Sequence, residues 1–261
     1  MTAESGRVAV VTGGTSGIGL AVTERLAEDG AKVYLCARHE DKVAATVRQL
    51  RARGLEVDGA TCDVRDPDAV SGFVASAVER YGTIGTLVNN AGRGGGGVTA
   101  ELPDETWYDV IDTNLNSVFL MTRQVLTEGG MREAGHGRII NIASTGGKQG
   151  VVLGAPYSAS KHGVVGLTKA LGLELARTGI TVNAVCPGYV ETPMAQQVRA
   201  HYARIWDTDE QEVLERFEAR IPLGRYSTPR EVAGLVGYLA SDLAASVTAQ
   251  ALNVCGGLGN Y

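Results

Sequence analysis

Short apolar runs alternate with helical patterns along the whole chain, and this alternation limits the folds that are available to it. Residues 7–12 form the first apolar run, which is typical of a buried parallel strand. Six further strand-like runs follow, and a helical pattern separates each run from the next. Strands and helices that alternate in this way form a parallel sheet with helices on both faces. The pattern therefore predicts a single α/β domain over residues 1–261, built on a doubly wound parallel sheet.

Size, charge and cysteine content exclude several classes of protein. The 261 residues are 44% apolar, which suits one large domain with a sizeable core. The net charge of −5, without a block of Lys or Arg, argues against nucleic acid or an anionic membrane as partner. No apolar run approaches the roughly 18 residues of a membrane span, and residues 1–6 predict no signal peptide. We expect a cytoplasmic protein without a metal site, because its four cysteines are far apart: Cys36, Cys62, Cys186 and Cys255.

A glycine-rich segment follows the first strand and leads into the first helical pattern. Gly13, Gly17 and Gly19 have the spacing Gly-x3-Gly-x-Gly, which differs from the common dinucleotide fingerprint. Glycines allow a ligand to approach the backbone, and a helix N-terminus offers N–H groups to a phosphate. The segment is either an ordinary turn or a pyrophosphate site, and its strand–turn–helix context favours the site and a Rossmann-like fold. The predicted cofactor contacts here are Gly13, Thr15, Ser16, Gly17, Ile18 and Gly19.

The residue after the second strand indicates which dinucleotide is bound. At this position an acidic residue would hold the ribose of NAD, whereas an arginine accommodates the 2′-phosphate of NADP. Arg38 stands there, so the position favours NADPH and NADP+, although Glu40 and Asp41 lie close enough in sequence to serve a ribose. Asp63 and Val64 follow the third strand and are predicted at the adenine. Asp63 is equally well explained as the cap of the next helix.

Four polar residues form the candidate catalytic group. Tyr157 and Lys161 are four residues apart on a predicted helix, so they share one face. Ser144 ends the fifth strand, 13 residues before Tyr157, and Asn114 lies on the long helix that precedes that strand. Each of these residues alone has an ordinary structural explanation. Only the four together predict catalysis.

Together these residues resemble the short-chain dehydrogenases/reductases over about residues 6–261. The segments 141–150, 178–194 and 257–261 look more specifically like the ketoreductases of bacterial aromatic (type II) polyketide synthases. The motifs that carry the resemblance are Thr12-Gly13-x3-Gly17-x-Gly19, Asn89-Asn90-Ala91-Gly92, Asn114, Ser144, Tyr157-x3-Lys161 and Pro187-Gly188.

The resemblance implies an NADPH-dependent oxidoreductase. It would reduce one ketone (C9-type) of a carrier-bound, partly cyclised aromatic polyketide to a secondary alcohol in antibiotic biosynthesis. Tyr157 would donate the proton, Ser144 would orient the carbonyl oxygen, and Lys161 would lower the pKa of Tyr157. Lys161 would also bond the nicotinamide ribose, and Asn114 would support a water chain. The further cofactor contacts that the resemblance implies are Asn90, Gly92, Tyr157, Lys161, Pro187, Gly188, Val190 and Thr192.

The resemblance also places the substrate near the nicotinamide, under a predicted lid at about residues 193–226. Many family members carry proline where this chain has Gly94, so the expected S-type alcohol depends on a more mobile backbone. The implied substrate contacts are Gly94, Gly95, Gly96, Thr145, Gln149, Val151, Met194 and Tyr202.

Two kinds of protein partner are expected. The polyketide would arrive on an acidic acyl carrier protein, which a basic patch of Arg38, Arg65 and Arg93 would steer, since all three follow strand ends. The family habit is a homotetramer built on two long helices, predicted here at about 104–130 and 156–177, and on the C-terminal segment.

Two other functions fit part of the pattern. A 3-oxoacyl-[acyl-carrier-protein] reductase of fatty-acid synthesis has the same fold and catalytic residues but a linear substrate. A non-catalytic dinucleotide sensor is an alternative of another class on the same fold. The presence of all four candidate catalytic residues, Asn114, Ser144, Tyr157 and Lys161, argues against a sensor, because a sensor needs no proton donor.

Overall fold

The computed structural model describes residues 6–259 and 261, so the absence of a signal peptide predicted from residues 1–6 falls almost wholly outside them. Within these residues, seven parallel strands form one sheet in the order β3-β2-β1-β4-β5-β6-β7. This confirms the predicted doubly wound parallel sheet. Strand order reverses between β1 and β4, where such sheets bind their ligands. The strands are β1 Val8–Thr12, β2 Lys32–Ala37, β3 Val57–Thr61, β4 Ile84–Asn89, β5 Gly137–Ile142, β6 Ile180–Pro187 and β7 Ala251–Val254.

Helices cover both faces of the sheet. On β1, Ala9 and Val11 face the layer of α1, α2 and α10, whereas Val8 and Val10 face the layer of α3 and α5. This alternation follows from the two-residue period of a strand, and it buries both faces in apolar contacts. The helices are α1 Gly17–Glu28, α2 Glu40–Ala52, α3 Pro67–Tyr81, α4 Asp104–Ile111, α5 Ser117–Leu126, α6 Met131–Ala134, α7 Ala155–Glu174, α8 Pro193–Trp206, α9 Glu210–Glu218 and α10 Pro229–Ala240.

The helix predicted at 104–130 differs most from its observed form. It contains a π-helical turn at Asp112–Asn116 between α4 and α5, and it ends at Leu126. Gly129 and Gly130 follow that end, and Gly130 adopts the left-handed conformation with φ +72°. Such a glycine does not continue a helix, which explains the early end. The helix predicted at 156–177 is observed at Ala155–Glu174.

The observed helix caps test whether Asp63 is a cap of α3. Asp66, rather than Asp63, caps α3, because its side chain accepts from the backbone N–H groups of Asp68 and Ala69. The interpretation of Asp63 as a helix cap is therefore wrong. Side chains also cap α8, α9 and α10, whereas Ser16 at the start of α1 makes no such bond.

No helix in the described part of the chain is long and apolar enough to cross a bilayer. Among the same residues, no group of three or more His, Cys, Asp or Glu side chains is placed to hold a metal ion. The four cysteines are buried free thiols.

Candidate active site

The glycine-rich loop between β1 and α1 forms a tight cradle. Gly13 and Gly17 adopt left-handed conformations, with φ +66° and +53°. A Cβ atom at Gly19 would overlap the carbonyl oxygen of Gly13 and the side-chain amide of Asn90. Only glycine fits at position 19, and the first turn of α1 is left without a side-chain cap. An uncapped helix N-terminus behind a glycine loop is suited to bind a phosphate.

Asn90, which follows the neighbouring strand β4, holds this loop in place together with Thr12 at the end of β1. The Nδ2 atom of Asn90 donates to the backbone oxygens of Thr12 at 2.9 Å and Gly13 at 3.2 Å. The Oγ1 atom of Thr12 accepts from the N–H groups of Asn90 and Ala91 at 3.0 and 2.9 Å. The side chain of Asn90 therefore supports the loop, and it is the backbone around Asn90 and Gly92 that borders the site.

Arg38 is exposed at the end of β2. Its side chain makes no hydrogen bond or ion pair among residues 6–259 and 261, so the guanidinium is available to a phosphate. Asp63 lies nearby, and its pKa is held below the ordinary value by Arg65 and, to a smaller extent, by the charge of Arg38. The arrangement fits the 2′-phosphate of NADP better than a ribose hydroxyl.

The predicted basic patch is largely neutralised. Arg65 pairs with Asp63 and with Asp109 of α4, each at 2.6 Å. Arg93 pairs with the same Asp109, and its Nε donates to the backbone oxygen of Gly94 at 3.2 Å. Asp109, which the fold brings to both arginines, therefore offsets part of their positive charge, while the side chains of Arg65 and Arg93 remain 37% and 46% exposed.

Ser144, Tyr157 and Lys161 meet at the carboxyl ends of the strands. Ser144 follows β5, and its Oγ accepts from the N–H of Gly146 at 3.0 Å. A Cβ atom at Gly146 would lie 3.3 Å from this Oγ and 3.2 Å from Cε1 of Tyr157, so the two side chains are neighbours. Lys161 is buried, donates to the backbone oxygen of Ile142 at 2.8 Å, and lies 5.9 Å from the centre of the Tyr157 ring.

Asn114 reaches this group from the π-helical turn. Its Oδ1 accepts from the N–H of Arg93 at 2.8 Å, and its Nδ2 donates to the oxygen of Arg93 at 2.9 Å. The same Nδ2 donates to Oγ of Ser160 at 3.1 Å. A Cβ atom at Gly92 would lie 3.3 Å from Oδ1 of Asn114 and 3.6 Å from Nζ of Lys161, which places Asn114 beside the lysine.

Sequence reasoning missed Ser160. Its hydroxyl donates to the backbone oxygen of Tyr157 at 2.8 Å and accepts from Asn114, so it ties the π-helical turn to α7. A serine on a helix carries no sequence signal for such a role. Only the packing of the two helices reveals it.

Burial sets the protonation of the two titratable groups. It lowers the pKa of Lys161 to about 8, so this ammonium is still charged at neutral pH. Burial also raises the pKa of Tyr157, and the hydrogen bond with Ser144 opposes that shift. At neutral pH the phenol therefore retains its proton and is available as a donor.

The predicted substrate residues border the same group. The loop after β4 packs against the segment after Gln149, because the N–H of Gly97 donates to the oxygen of Leu153 at 2.8 Å. A Cβ atom at Gly96 would overlap that oxygen, whereas one at Gly94 would meet nothing within 4 Å. Val151 lies against Gly146 and so beside Tyr157. The structure thus places Val151 beside Tyr157, while Thr145 is buried and its backbone oxygen accepts from the N–H of Gln149.

The helix pair at the predicted lid has a small core of its own. The ring of Tyr202 is tilted against Trp206 and meets Phe217 edge-on, with ring centres 5.0 and 5.4 Å apart. Met194 and Ile205 are exposed. Tyr202, Trp206 and Phe217 therefore form one aromatic cluster between α8 and α9.

The segment after β6 joins this helix pair to the glycine loop. Thr192 caps α8, and a Cβ atom at Gly17 would lie 3.3 Å from its methyl group. Arg199, which is nearly buried, binds both carboxylate oxygens of Glu191 at 2.8 and 2.9 Å. The segment that carries Val190 and Thr192 therefore lies over the cofactor cradle and is held there from α8.

Comparison with known proteins shows the family of this chain. Residues 7–203 match the family model described as short chain dehydrogenase. The chain belongs to the short-chain dehydrogenase family. The protein described as ketoacyl reductase of the monensin polyketide synthase of Streptomyces virginiae is 70% identical over 261 residues, which is 100% of both chains. A 3-oxoacyl-[acyl-carrier-protein] reductase of Escherichia coli is 38% identical over 97% of each chain.

Solved structures give the same result for this short-chain dehydrogenase. A crystal structure of a variant actinorhodin polyketide ketoreductase with NADPH has a TM-score of 0.96 and 63% identity. It covers 100% of this chain and 99% of the other. At this identity the likeness extends to the family and its oxidoreductase chemistry, beyond the fold alone.

The depressed pKa of Lys161 makes the stability of this dehydrogenase depend on pH. The folded value of about 8 lies below the ordinary 10.5, so between these values the unfolded chain binds more protons. Relative to Lys161→Met, the wild type should gain about 1.4 kcal/mol of unfolding free energy per pH unit from pH 8 to 10. Urea unfolding of both proteins at several pH values measures this, and parallel curves would contradict it.

Proposed function

We propose that this chain is an NADPH-dependent ketoreductase that reduces one ketone of a polyketide intermediate to a secondary alcohol. The observation that carries the proposal is the group of Ser144, Tyr157 and Lys161 beside a glycine cradle and Arg38, whose side chain has no partner among the described residues. Identities of 68–70% with ketoacyl reductases of polyketide synthases, and of 63% with the actinorhodin polyketide ketoreductase, support the substrate class.

The cofactor fits the residues that are present. The uncapped N-terminus of α1 and its glycine cradle would hold the pyrophosphate, and Arg38 the 2′-phosphate. Asp63 and Val64 border the adenine side, and the segment of Pro187, Gly188, Val190 and Thr192 borders the nicotinamide side. When bound, NADPH supplies the hydride that is added to the ketone carbon.

Tyr157 and Ser144 act on the ketone oxygen as negative charge develops there. The Ser144 hydroxyl orients this oxygen by a hydrogen bond, and the Tyr157 phenol transfers its proton to it. The proton is in place at neutral pH because burial raises the pKa of Tyr157. The Lys161 ammonium, 5.9 Å from the ring centre, stabilises the phenolate that remains.

The phenolate must then be reprotonated. Lys161 and Asn114 lie on the inner side of Tyr157, and a Cβ atom at Gly92 would nearly touch both. We place the proton supply on this side, through waters that Asn114 helps to hold. Lys161 can exchange its own proton near neutral pH, because burial lowers its pKa to about 8.

The finer substrate assignment is a C9-type ketone of a carrier-bound, partly cyclised aromatic polyketide in antibiotic biosynthesis. Within the glycine segment, Gly94 has free space around it, whereas Gly95 and Gly96 pack closely against Val110 and Leu153, so a bulky ring system would be admitted beside Gly94. Met194 on the lid at 193–226 is exposed and available to cover it. The S-type alcohol stays a prediction, because Gly94 has free space around it.

Partner assignments are part of the same proposal. Docking of an acyl carrier protein at Arg38, Arg65 and Arg93 stays a prediction, and with two of the three paired to acids it rests chiefly on Arg38. Exposed Trp107, Tyr108 and Phe119 on the α4–α5 face support a homotetramer. We place the enzyme in the cytoplasm.

Fatty-acid-type reduction is the second candidate, because the chain is 38% identical to 3-oxoacyl-[acyl-carrier-protein] reductases over almost its full length. The two candidates share every catalytic residue, so only the substrate separates them.

Initial rates of NADPH oxidation test the proposal. We expect a fused bicyclic ketone to be reduced faster than an acetoacetyl thioester at the same concentration. Faster turnover of the thioester would assign the chain to fatty-acid-type reduction. Reduction of neither compound would contradict the proposed ketoreductase.

A further inference from the structure

Lys148 connects the catalytic loop to the end of the chain. It follows the short 3-10 turn Thr145–Gly147, and Ser144 is the N-cap of that turn. Its ammonium donates to Oδ1 of Asn253 at 2.9 Å and to the main-chain oxygen of Tyr261 at 3.1 Å. It also lies 5.6 Å from the centre of the Tyr261 ring. Both hydrogen-bond acceptors are more than 100 residues away in sequence.

The C-terminal segment presents these acceptors in a fixed arrangement. Asn253 belongs to β7, which pairs with β6, so its backbone is part of the sheet. Its Nδ2 donates to the oxygen of Gly259 at 2.9 Å and to the oxygen of Tyr261 at 3.4 Å. Asn253 therefore orders the oxygen that Lys148 also binds. The ammonium is held by a part of the molecule that is itself anchored to the central sheet.

A short chain of hydrogen bonds leads from Lys148 back to the Ser144 hydroxyl. The N–H of Lys148 donates to the oxygen of Thr145 at 3.0 Å, and the N–H of Gly147 to the oxygen of Ser144 at 2.9 Å. The N–H of Gly146 binds the Ser144 Oγ itself. A movement of residue 148 would thus be transmitted through one tight turn to the hydroxyl.

Lys148 also lies near Cys186, a buried residue that contacts the backbone of Ser144. Burial raises the pKa of the Cys186 thiol, and the charge of Lys148 opposes that shift. Cys186 is buried at the end of β6, next to the backbone of Ser144. The charge of the Lys148 ammonium thus acts on a residue that contacts the backbone of Ser144.

We propose that Lys148 is a positioning residue for ketone reduction, whose ammonium, held by Asn253 and Tyr261, fixes the turn that aims the Ser144 hydroxyl. The proposal rests on the proposed function, because that function assigns Ser144 its role. It names a residue that does not touch the reacting atoms. The loss of its hydrogen bonds should affect the chemical step rather than cofactor binding.

Lys148→Met in the full-length protein tests this with NADPH and the bicyclic ketone. We expect kcat to fall about 10-fold, since a small displacement of an orienting group is costly, with the KM for NADPH unchanged. Lys148→Arg should restore most of the rate, because a guanidinium reaches the same acceptors. The matched control is Lys32→Met, which removes an ammonium at the amino end of β2, whereas the candidate catalytic group lies at the carboxyl ends of the strands.

The Ser144→Ala background separates positioning from general damage. If Lys148 acts through Ser144, adding Lys148→Met to Ser144→Ala should cost little further rate. An equal 10-fold loss in both backgrounds would overturn the proposal, and so would a Lys148→Met rate equal to that of Lys32→Met. If Lys148→Met does not fold, Asn253→Leu takes its place, with the same expected loss and the same contrary result. If the wild type reduces no ketone, the proposed function is overturned. This result is distinct from failure of the Lys148 proposal, in which the wild type is active and only the variants depart from expectation.

Discussion

Tyr157→Phe should reduce kcat for ketone reduction by about 10²–10⁴-fold, which is the usual contribution of a positioned proton donor. Phenylalanine keeps the ring of the side chain. The missing hydroxyl removes both the proton that would be donated to the ketone and the hydrogen bond with Ser144. Lys161 keeps its bond to Ile142, so the cofactor side of the site should stay intact. NADPH should therefore bind with unchanged affinity, as fluorescence titration would measure.

The matched control for this variant is Tyr238→Phe. Tyr238 is exposed on α10 and has no role in the proposed site or interface, so the removal of its hydroxyl should leave turnover at the wild-type level. Wild-type turnover in Tyr157→Phe would rule out Tyr157 as the proton donor. Loss of NADPH binding in the same variant would assign the residue to cofactor binding instead.

Gly19→Ala should damage the cofactor cradle more than any other single added methyl group in the loop. The new Cβ would overlap the backbone oxygen of Gly13, and a backbone atom cannot move aside as the end of a flexible side chain can. We expect a loss of about 1–3 kcal/mol of stability from this overpacking. We also expect at least a ~10-fold weaker binding of NADPH, because displacement of the loop separates the phosphate from the N-terminus of α1.

Gly72→Ala is the control for that substitution. Gly72 lies within α3, and a Cβ atom there would meet nothing within 4 Å. It should stabilise the protein by about 0.5–1 kcal/mol and leave NADPH binding unchanged. Thermal unfolding and a fluorescence titration measure both variants. Unaltered NADPH affinity in Gly19→Ala would show that the pyrophosphate does not depend on this cradle.

The sheet and the location of the site were predictable because their signals are local. Apolar runs predict strands, and residues that follow strand ends in a parallel sheet meet at one edge. Tyr157 and Lys161 share a helix face by spacing alone. The structure brings Ser144 and Asn114 to that pair as the pattern requires, while the roles of all four stay predictions.

The remaining features depend on contacts between distant segments, which no local pattern contains. Asp109 neutralises Arg65 and Arg93 only because α4 packs beside the ends of β3 and β4. Ser160 holds Asn114 from another helix, and Lys148 finds its acceptors at the far end of the chain. The π-helical turn is equally hidden, since its sequence is compatible with a regular helix.

That π-helical turn makes the site sensitive to chain length as well as to residue type. Each residue of an α-helix turns the chain by about 100°, so Asp112–Asn116 sets the rotation of α5 relative to α4. Deletion of one residue there would let a regular helix form, and every side chain beyond the deletion would face a new direction. Asn114 would lose Arg93 and Ser160 together, and Val118 and Met121 would leave the core that they now fill. A chain that keeps all four candidate catalytic residues but is one residue shorter in this helix would therefore have no assembled site.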